Sequence, residues 1–437
     1  MDLRAALACA AALGLAAAPA ARTNVYRHAT LVDATAPEPR PGMALVVEDG
    51  LITQVVPDAE APRGGASRDL KGRYVMPGIV DTHVHVATEP DLKVARAILT
   101  FMVTGGVTTV RDMAGDARTL AEIRRKLLVG EWTGPTLQFS ALMAGPSFFV
   151  DKRTKASAMG ETPGQVAWMA AITHDTDLPL AVAQAKGTYA SGIKLYANLD
   201  ASLAAAVVAE ARRQAFPVWA HAALFPATPG EVAATGLTSM AHAPMFVYEV
   251  VPMPAERLTT RPKPDYRGVS PDDPRLQAVF RTMREKGVAL DATMTVFRTP
   301  RSGTPEAKAR AVEEYAFAVA ITRAAHRAGV IVTTGTDYLR AAAKGEPAVW
   351  DEMIALQEEA GFTPAEVLKA ATVDGAKVLG LGALQGTLAP GQRADFLVLR
   401  DNPLHSARAI RSLVLTVKGG RAVPRAGYRP SPLLKGE

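Results

Sequence analysis

Val80-Asp81-Thr82-His83-Val84-His85-Val86 is the stretch that decides how the chain is read. In a strand the period of two puts the imidazoles of His83 and His85 on one face, while Val84 points to the other. Two imidazoles on one rigid strand can grip one metal ion. A lone His-x-His is weak, because such pairs are as readily exposed or core histidines. Four further residues, Lys194, His221, His242 and Asp337, sit at or near the ends of four other apolar runs. Together the six read as a two-metal hydrolase centre.

Working outward, short apolar runs alternate with helical stretches, the pattern of repeated βα units around a parallel sheet. Eight candidate strands cover residues 79–85, 107–112, 136–142, 192–198, 218–222, 239–243, 288–294 and 330–337. Eight is the number for a closed (β/α)8 barrel, the TIM barrel. Helical periodicity is clear between them over 200–214, 305–328 and 350–360. Each candidate ligand falls near the C-terminal end of its strand, and in a barrel those ends converge on one catalytic mouth.

Both ends of the chain have a different texture. Residues 43–48 and 51–56 are β-type runs joined by Asp49-Gly50, a two-residue hairpin signal. Residues 394–399 and 413–417 also read as strands, with Pro390-Gly391 and Gly419-Gly420 as turns. The expected fold class is therefore α/β, a barrel with a small β-sandwich built from both ends of the chain; two separate flaps are the alternative. The expected division is a signal peptide over 1–20, a composite β-sandwich from 21–76 plus 385–437, and a metal-dependent hydrolase barrel over 77–384.

The 437 residues are 48% hydrophobic, enough for a large core. The net charge of +6 comes from dispersed lysines and arginines with no basic run interleaved with aromatics, so no nucleic-acid partner is expected. Arg4, an uncharged alanine-rich run and Ala18-Pro19-Ala20 resemble a secretory signal peptide, which predicts export to the periplasm or medium. The apolar run is short for a bilayer, so no stable membrane insertion is expected after cleavage, although Asp2 leaves a poor anchor helix as the alternative. The single cysteine, Cys9, lies in this leader. A mature chain without thiols excludes disulfides, Cys-ligated zinc and a cysteine nucleophile.

Lys194 lies in Gly192-Ile193-Lys194-Leu195-Tyr196, where alternation sends Lys194 and Tyr196 inward. In isolation the pentapeptide reads as a lysine reaching water from a strand edge. Among converging ligands, a desolvated lysine can instead lose its proton and react with carbon dioxide, giving a carbamate that bridges two cations. His221 and His242 end consecutive strands and are candidate ligands of a second metal, though each alone would suit a rim or core position. Asp337 closes Thr333-Thr334-Gly335-Thr336-Asp337; alone it would cap a helix, and beside a metal it is ligand and proton shuttle. His28, His174, His326 and His405 end no predicted strand and read as structural or solvated. With no Gly-x-Ser-x-Gly elbow, phosphate loop or dinucleotide fingerprint, the expected nucleophile is water.

The chain resembles the amidohydrolase superfamily, in its imidazolonepropionase-like and prolidase-like branch. The resemblance rests on the Asp49-Gly50 hairpin, the segment from Met76-Pro77-Gly78 through His85, Gly105-Gly106-Val107-Thr108-Thr109-Val110-Arg111-Asp112, the Lys194 strand, His221, His242, Gly335-Thr336-Asp337, and the closing segment over 386–399. It implies a binuclear centre in which His83, His85 and Asp337 hold one metal, His221 and His242 the other, and carboxylated Lys194 bridges them. A departure stands in the loop after the third strand, where Ala144-Gly145-Pro146-Ser147-Phe148-Phe149 replaces the Gly-Gly-His common in such relatives.

The expected function is metal-dependent hydrolysis of a C–N amide bond in a dipeptide or N-acyl amino acid by a metal-bridging hydroxide, with two divalent ions, zinc fitting best. Rival readings are a lactone, carboxylester or phosphotriester hydrolase, a mononuclear deaminase or imidazolonepropionase, and a catalytically silent metal-stabilised binding protein. The substrate is expected to carry a carboxylate met by Tyr196 and by mouth-loop arginines: Arg298 after the seventh strand, and Arg257, Arg261 and Arg267, with Lys263, in a long loop over 246–275. Association into a homo-oligomer is left open.

Overall fold

A computed structural model of the chain describes residues 23–88, 91–254, 264–300, 302–337 and 345–434. The signal-peptide expectation, and those for Arg257, Arg261 and Lys263, fall outside these residues. Among the described residues, no helix is long and apolar enough to cross a membrane.

Eight parallel strands form the barrel. In order they are Ile79–Val84, Val107–Asp112, Thr136–Ala144, Gly192–Leu195, Val218–His221, Ser239–Ala241, Ala289–Asp291 and Val332–Thr333, each paired with the next. They fall within or close to the eight predicted runs; the second ends as expected, the third runs on to Ala144, and the other six stop short at their C-terminal ends. The ring closes where Thr82 N donates to Thr334 O and Asp337 N to His83 O, both at 2.8 Å. Asp81 pins the same seam by accepting from Thr336 Oγ1 at 2.9 Å.

The helices lie outside and follow local rules. Asp200 accepts from Leu203 N at the start of the helix Ala201–Arg213, which buries Leu203, Ala204, Val207, Val208 and Ala211 along one face. The helix Ala348–Glu358 buries Trp350, whose indole donates to Gly105 O at 2.9 Å. Truncating such a side chain to alanine costs about 3–5 kcal/mol in a packed core.

The two ends of the chain meet in one sheet. Phe396–Leu399 runs antiparallel to Tyr74–Pro77 and to Leu413–Lys418, and Tyr74–Pro77 lies beside Thr23–Leu31, so C-terminal strands continue the N-terminal ones. Asp49 and Gly50 both adopt positive φ, 48° and 83°, as the tight hairpin between Arg40–Glu48 and Leu51–Pro57 requires. This sheet bends around its own core, in which the Tyr26 and Phe396 rings meet edge to face at 4.9 Å. The single-unit expectation therefore holds over that of separate flaps.

Candidate metal centre

The first barrel strand is buried along its whole length and ends on His83 and Val84, with His85 just beyond. Asp337 comes from the far end of the chain to stand between the imidazoles. Its Oδ1 is 3.3 Å from His83 Nε2 and 3.0 Å from His85 Nε2, and its Oδ2 is 3.8 Å from His242 Nδ1. Donor atoms of His83, His242 and Asp337 lie within 4.8 Å of one another, close enough to share one ion. His221 extends the cluster, its ring 4.7 Å from that of His242, and the Tyr196 ring lies 4.0 Å from that of His221, tilted by 56°. Lys194 is fully buried on the fourth strand.

Asp291 was not singled out from the sequence, although it ends the seventh strand. Its Oδ2 accepts from His83 Nδ1 at 2.9 Å, which leaves His83 Nε2 directed at Asp337. The same oxygen lies 3.3 Å from Arg111 Nη2. Arg111 is itself fully buried, stacked 4.6 Å from the Trp219 ring and bonded to Thr82 O at 2.7 Å. Burial pushes the Arg111 guanidinium down to about 10, so it still carries its charge at neutral pH. Gly335 is required here: a Cβ on it would lie 1.9 Å from Asp291 Oδ1 and 2.9 Å from the His83 Cβ.

The electrostatics favour the charged forms despite burial. Burial alone would raise the Asp337 carboxyl, but His83 and His242 beside it hold it well below the usual carboxylate range. Burial likewise opposes protonation of His83, yet Asp337 and Asp291 on either side outweigh it and raise its pKa. Imidazole nitrogens and a carboxylate form a donor set suited to zinc-like divalent ions, and a carboxylate already orients one ligand from behind. The residues present fit a metal.

Arg298 is not brought to this cluster. The chain after the seventh strand turns through Thr295–Arg298, placing the Phe297 ring 6.2 Å from that of His242 and sending Arg298 outward. There Arg298 bonds Tyr315 and Glu359 and stacks over the Tyr315 ring. Arg267 pairs with Asp265 on the surface. Of the remaining histidines, His28 and His174 are exposed partners of aspartates, and His326 stacks on Phe362.

A model of the amidohydrolase family matches residues 74–423. An adenine deaminase from Rubrobacter xylanophilus is 29% identical over 198 residues, which is 43% of this chain and 31% of that protein. The alignment thus spans about a third of that curated relative. Among solved structures, a candidate prolidase from Bifidobacterium longum superposes with a TM-score of 0.70 and 26% identity, over 94% of this chain and 96% of its own. Ochratoxinase from A. niger shares the fold with a TM-score of 0.71 at 22% identity, over 94% of this chain and 97% of its own.

Proposed function

The chain belongs to the amidohydrolase family, and from that premise we propose that it hydrolyses a C–N amide bond in a small substrate such as a dipeptide or N-acyl amino acid. The observation that carries this reading is the Asp337 carboxylate set among three imidazoles at the barrel mouth. The similarity to a candidate prolidase supports an amide as the bond.

His83, His85, His221, His242 and Asp337 would hold two divalent ions, zinc by donor type, with a carbamate on Lys194 as the shared anion. When bound, such ions supply Lewis acidity, acidifying a water and polarising the scissile carbonyl. Asp337, ionised at neutral pH, would accept the proton of the attacking water on a carboxylate oxygen and deliver it to the leaving nitrogen. Asp291 keeps the His83 ring in one orientation while this happens.

The direct test is turnover of a dipeptide and N-acyl amino acid library by metal-loaded enzyme, with and without a chelator. Cleavage of esters, lactones or phosphotriesters but no amide would transfer the reading to those bonds, and no turnover of any panel member would leave a binding protein. Elemental analysis should find about two metal equivalents per chain. Lys194→Ala is expected to lose metal and activity and to regain part of both with added short carboxylates. Unchanged metal content and turnover in that variant would return Lys194 to a structural role. Export is proposed as well; N-terminal sequencing of extracellular or periplasmic protein should then begin at Ala21, and recovery of the intact leader would overturn it.

A further inference from the structure

We propose that Arg153 anchors a substrate carboxylate at a subsite walled by Phe148 and Tyr196, beside His221. The subsite deepens the amide-hydrolase reading and rests on it only for the bond that is cut. It arises in the segment after the third strand, over residues 145–158.

That loop is fastened in place. Gly145 N donates to Ala197 O at 2.9 Å, Tyr196 N to Met143 O at 3.0 Å, and Asn198 Nδ2 to Ser147 Oγ at 2.9 Å. These bonds lock the ends of the third and fourth strands together and lay Phe148 on Tyr196, with ring centroids 4.6 Å apart. The turn Pro146–Val150 then leads into the helix Lys152–Ala158, capped by Asp151.

Asp151 also sets the guanidinium. It receives Arg153 Nε at 3.1 Å and Nη2 at 2.8 Å, a bidentate pair that holds the planar group in one orientation. The guanidinium carbon lies 5.7 Å from the centre of the Tyr196 ring, and the His221 ring lies 4.0 Å from that same centre. Arg153 is therefore no farther from the His221 imidazole than those two ring spacings together. A ligand of two or three residue lengths, each roughly 3.5 Å, covers that distance.

Three properties make this arginine the anchor. Tyr196 and Asp151 hold its pKa above the usual arginine value, so it is charged under all working conditions. Its side chain is 40% exposed, within reach of a ligand, whereas Arg111 is sealed beneath the site and Arg298 faces Glu359. A guanidinium has five donors; Asp151 takes one from Nε and one from Nη2, and Tyr196 bonds the group as well, which leaves hydrogens at its Nη end to meet a carboxylate. The neighbouring Phe148 ring suits an apolar group next to that carboxylate.

The experiment measures binding of 3-phenylpropanoate and of its neutral analogue 3-phenylpropanamide to the metal-loaded enzyme by calorimetry. The wild type should prefer the carboxylate. Arg153→Met should reduce that preference by roughly 10–100-fold, the scale of a hydrogen-bonded charge pair, while affinity for the amide stays within about twofold. Arg153→Lys, which keeps the charge without the fork, should fall between, and it serves if the methionine variant fails to fold. A carboxylate preference that survives both substitutions would assign the anion to the metals and overturn the proposal, as would an equal loss for both ligands. The outcome separates from that of the amide reading. An enzyme that cleaves no amide yet shows the Arg153-dependent preference keeps the subsite and loses the amide assignment. An enzyme that cleaves amides with no such preference does the reverse.

Discussion

Asp337 and Asp291 are both carboxylates beside His83, and their surroundings divide the work between them. Asp337 faces the mouth, with both oxygens among imidazoles, whereas Asp291 is sealed behind the ring of His83 and shared with Arg111. Asp337→Asn keeps the shape and a ligating oxygen but cannot accept a proton. It should retain most of the metal while turnover falls roughly a hundredfold or more, and wild-type rates would remove Asp337 from the proton path. Asp291→Asn should show the opposite pattern. It loosens the orientation of a ligand, so metal affinity should fall about 10–100-fold in competition with a chelating dye. Affinity equal to the wild type would reduce Asp291 to a counter-ion for Arg111.

At the level of elements, the barrel strands end in unusual backbone. His242, Thr293 and Asp337 all have positive φ, at 74°, 47° and 54°. Such residues cost on the order of 1–3 kcal/mol each and persist only where their surroundings hold them; a β-branched threonine is the least expected of the three. Thr293 is held from two sides. Its Oγ1 lies 2.9 Å from His242 Nδ1, and the next two residues are clamped by Glu352, which accepts from Met294 N and Thr295 N at 2.8 Å and from Thr295 Oγ1 at 2.7 Å. The buried helix residue Glu352 thus positions His242 through the turn between them. Burial pushes its carboxyl up to about 7 from the ordinary 4.5, against the pull of those hydrogen bonds. The folded state therefore binds this proton more tightly than the unfolded chain, and the stabilisation is full below about 4.5 and is lost as pH rises to about 7. Compared with Glu352→Gln in urea unfolding, the wild type should lose roughly 3 kcal/mol more between pH 5 and pH 8. Parallel pH profiles for the two proteins would show that Glu352 does not titrate in this range.

Across the whole molecule, the C-terminal strands support the metal site from a distance. Phe396 pairs with Pro77 in the sheet, and Gly78 N donates to Asp395 O at 2.9 Å one residue before the first barrel strand begins. Asp395 in turn receives Lys418 Nζ at 2.6 Å and Gly419 N at 2.7 Å, tying the final hairpin to the same point. Ending the chain at Pro390 would remove Phe396, Val398, Leu415 and Val417 from a shared core and leave the Tyr74–Pro77 edge unpaired. The truncated protein is expected to be insoluble or to carry little metal. A soluble product with the full metal content would show that the barrel holds its first strand without this sheet.

What the sequence determined by itself was whatever is set over a few residues. The period of two placed His83 and His85 on one face, and the same alternation turned Lys194 and Tyr196 inward. Asp49-Gly50 announced a hairpin through its φ requirement, and the helical windows near 201–213 and 305–327 followed from periodic apolar faces. Asp291 falls in the middle of the predicted run 288–294, and only the observed strand, which stops at Asp291, puts it at the rim. Tertiary structure decided the partnerships. His83 meets Asp291 across 208 positions of sequence, and Thr82 bonds Thr334 across 252, contacts that exist only once the barrel closes. Glu352 sits in a helix with no local mark of function, and its role comes from the loop that packs over it. Arg298 and Arg153 look alike in a linear reading, each an arginine shortly after a barrel strand. A turn sends the first toward Glu359, and Asp151 holds the second beside Tyr196, because side-chain direction in a loop is set by packing and hydrogen bonds rather than by period.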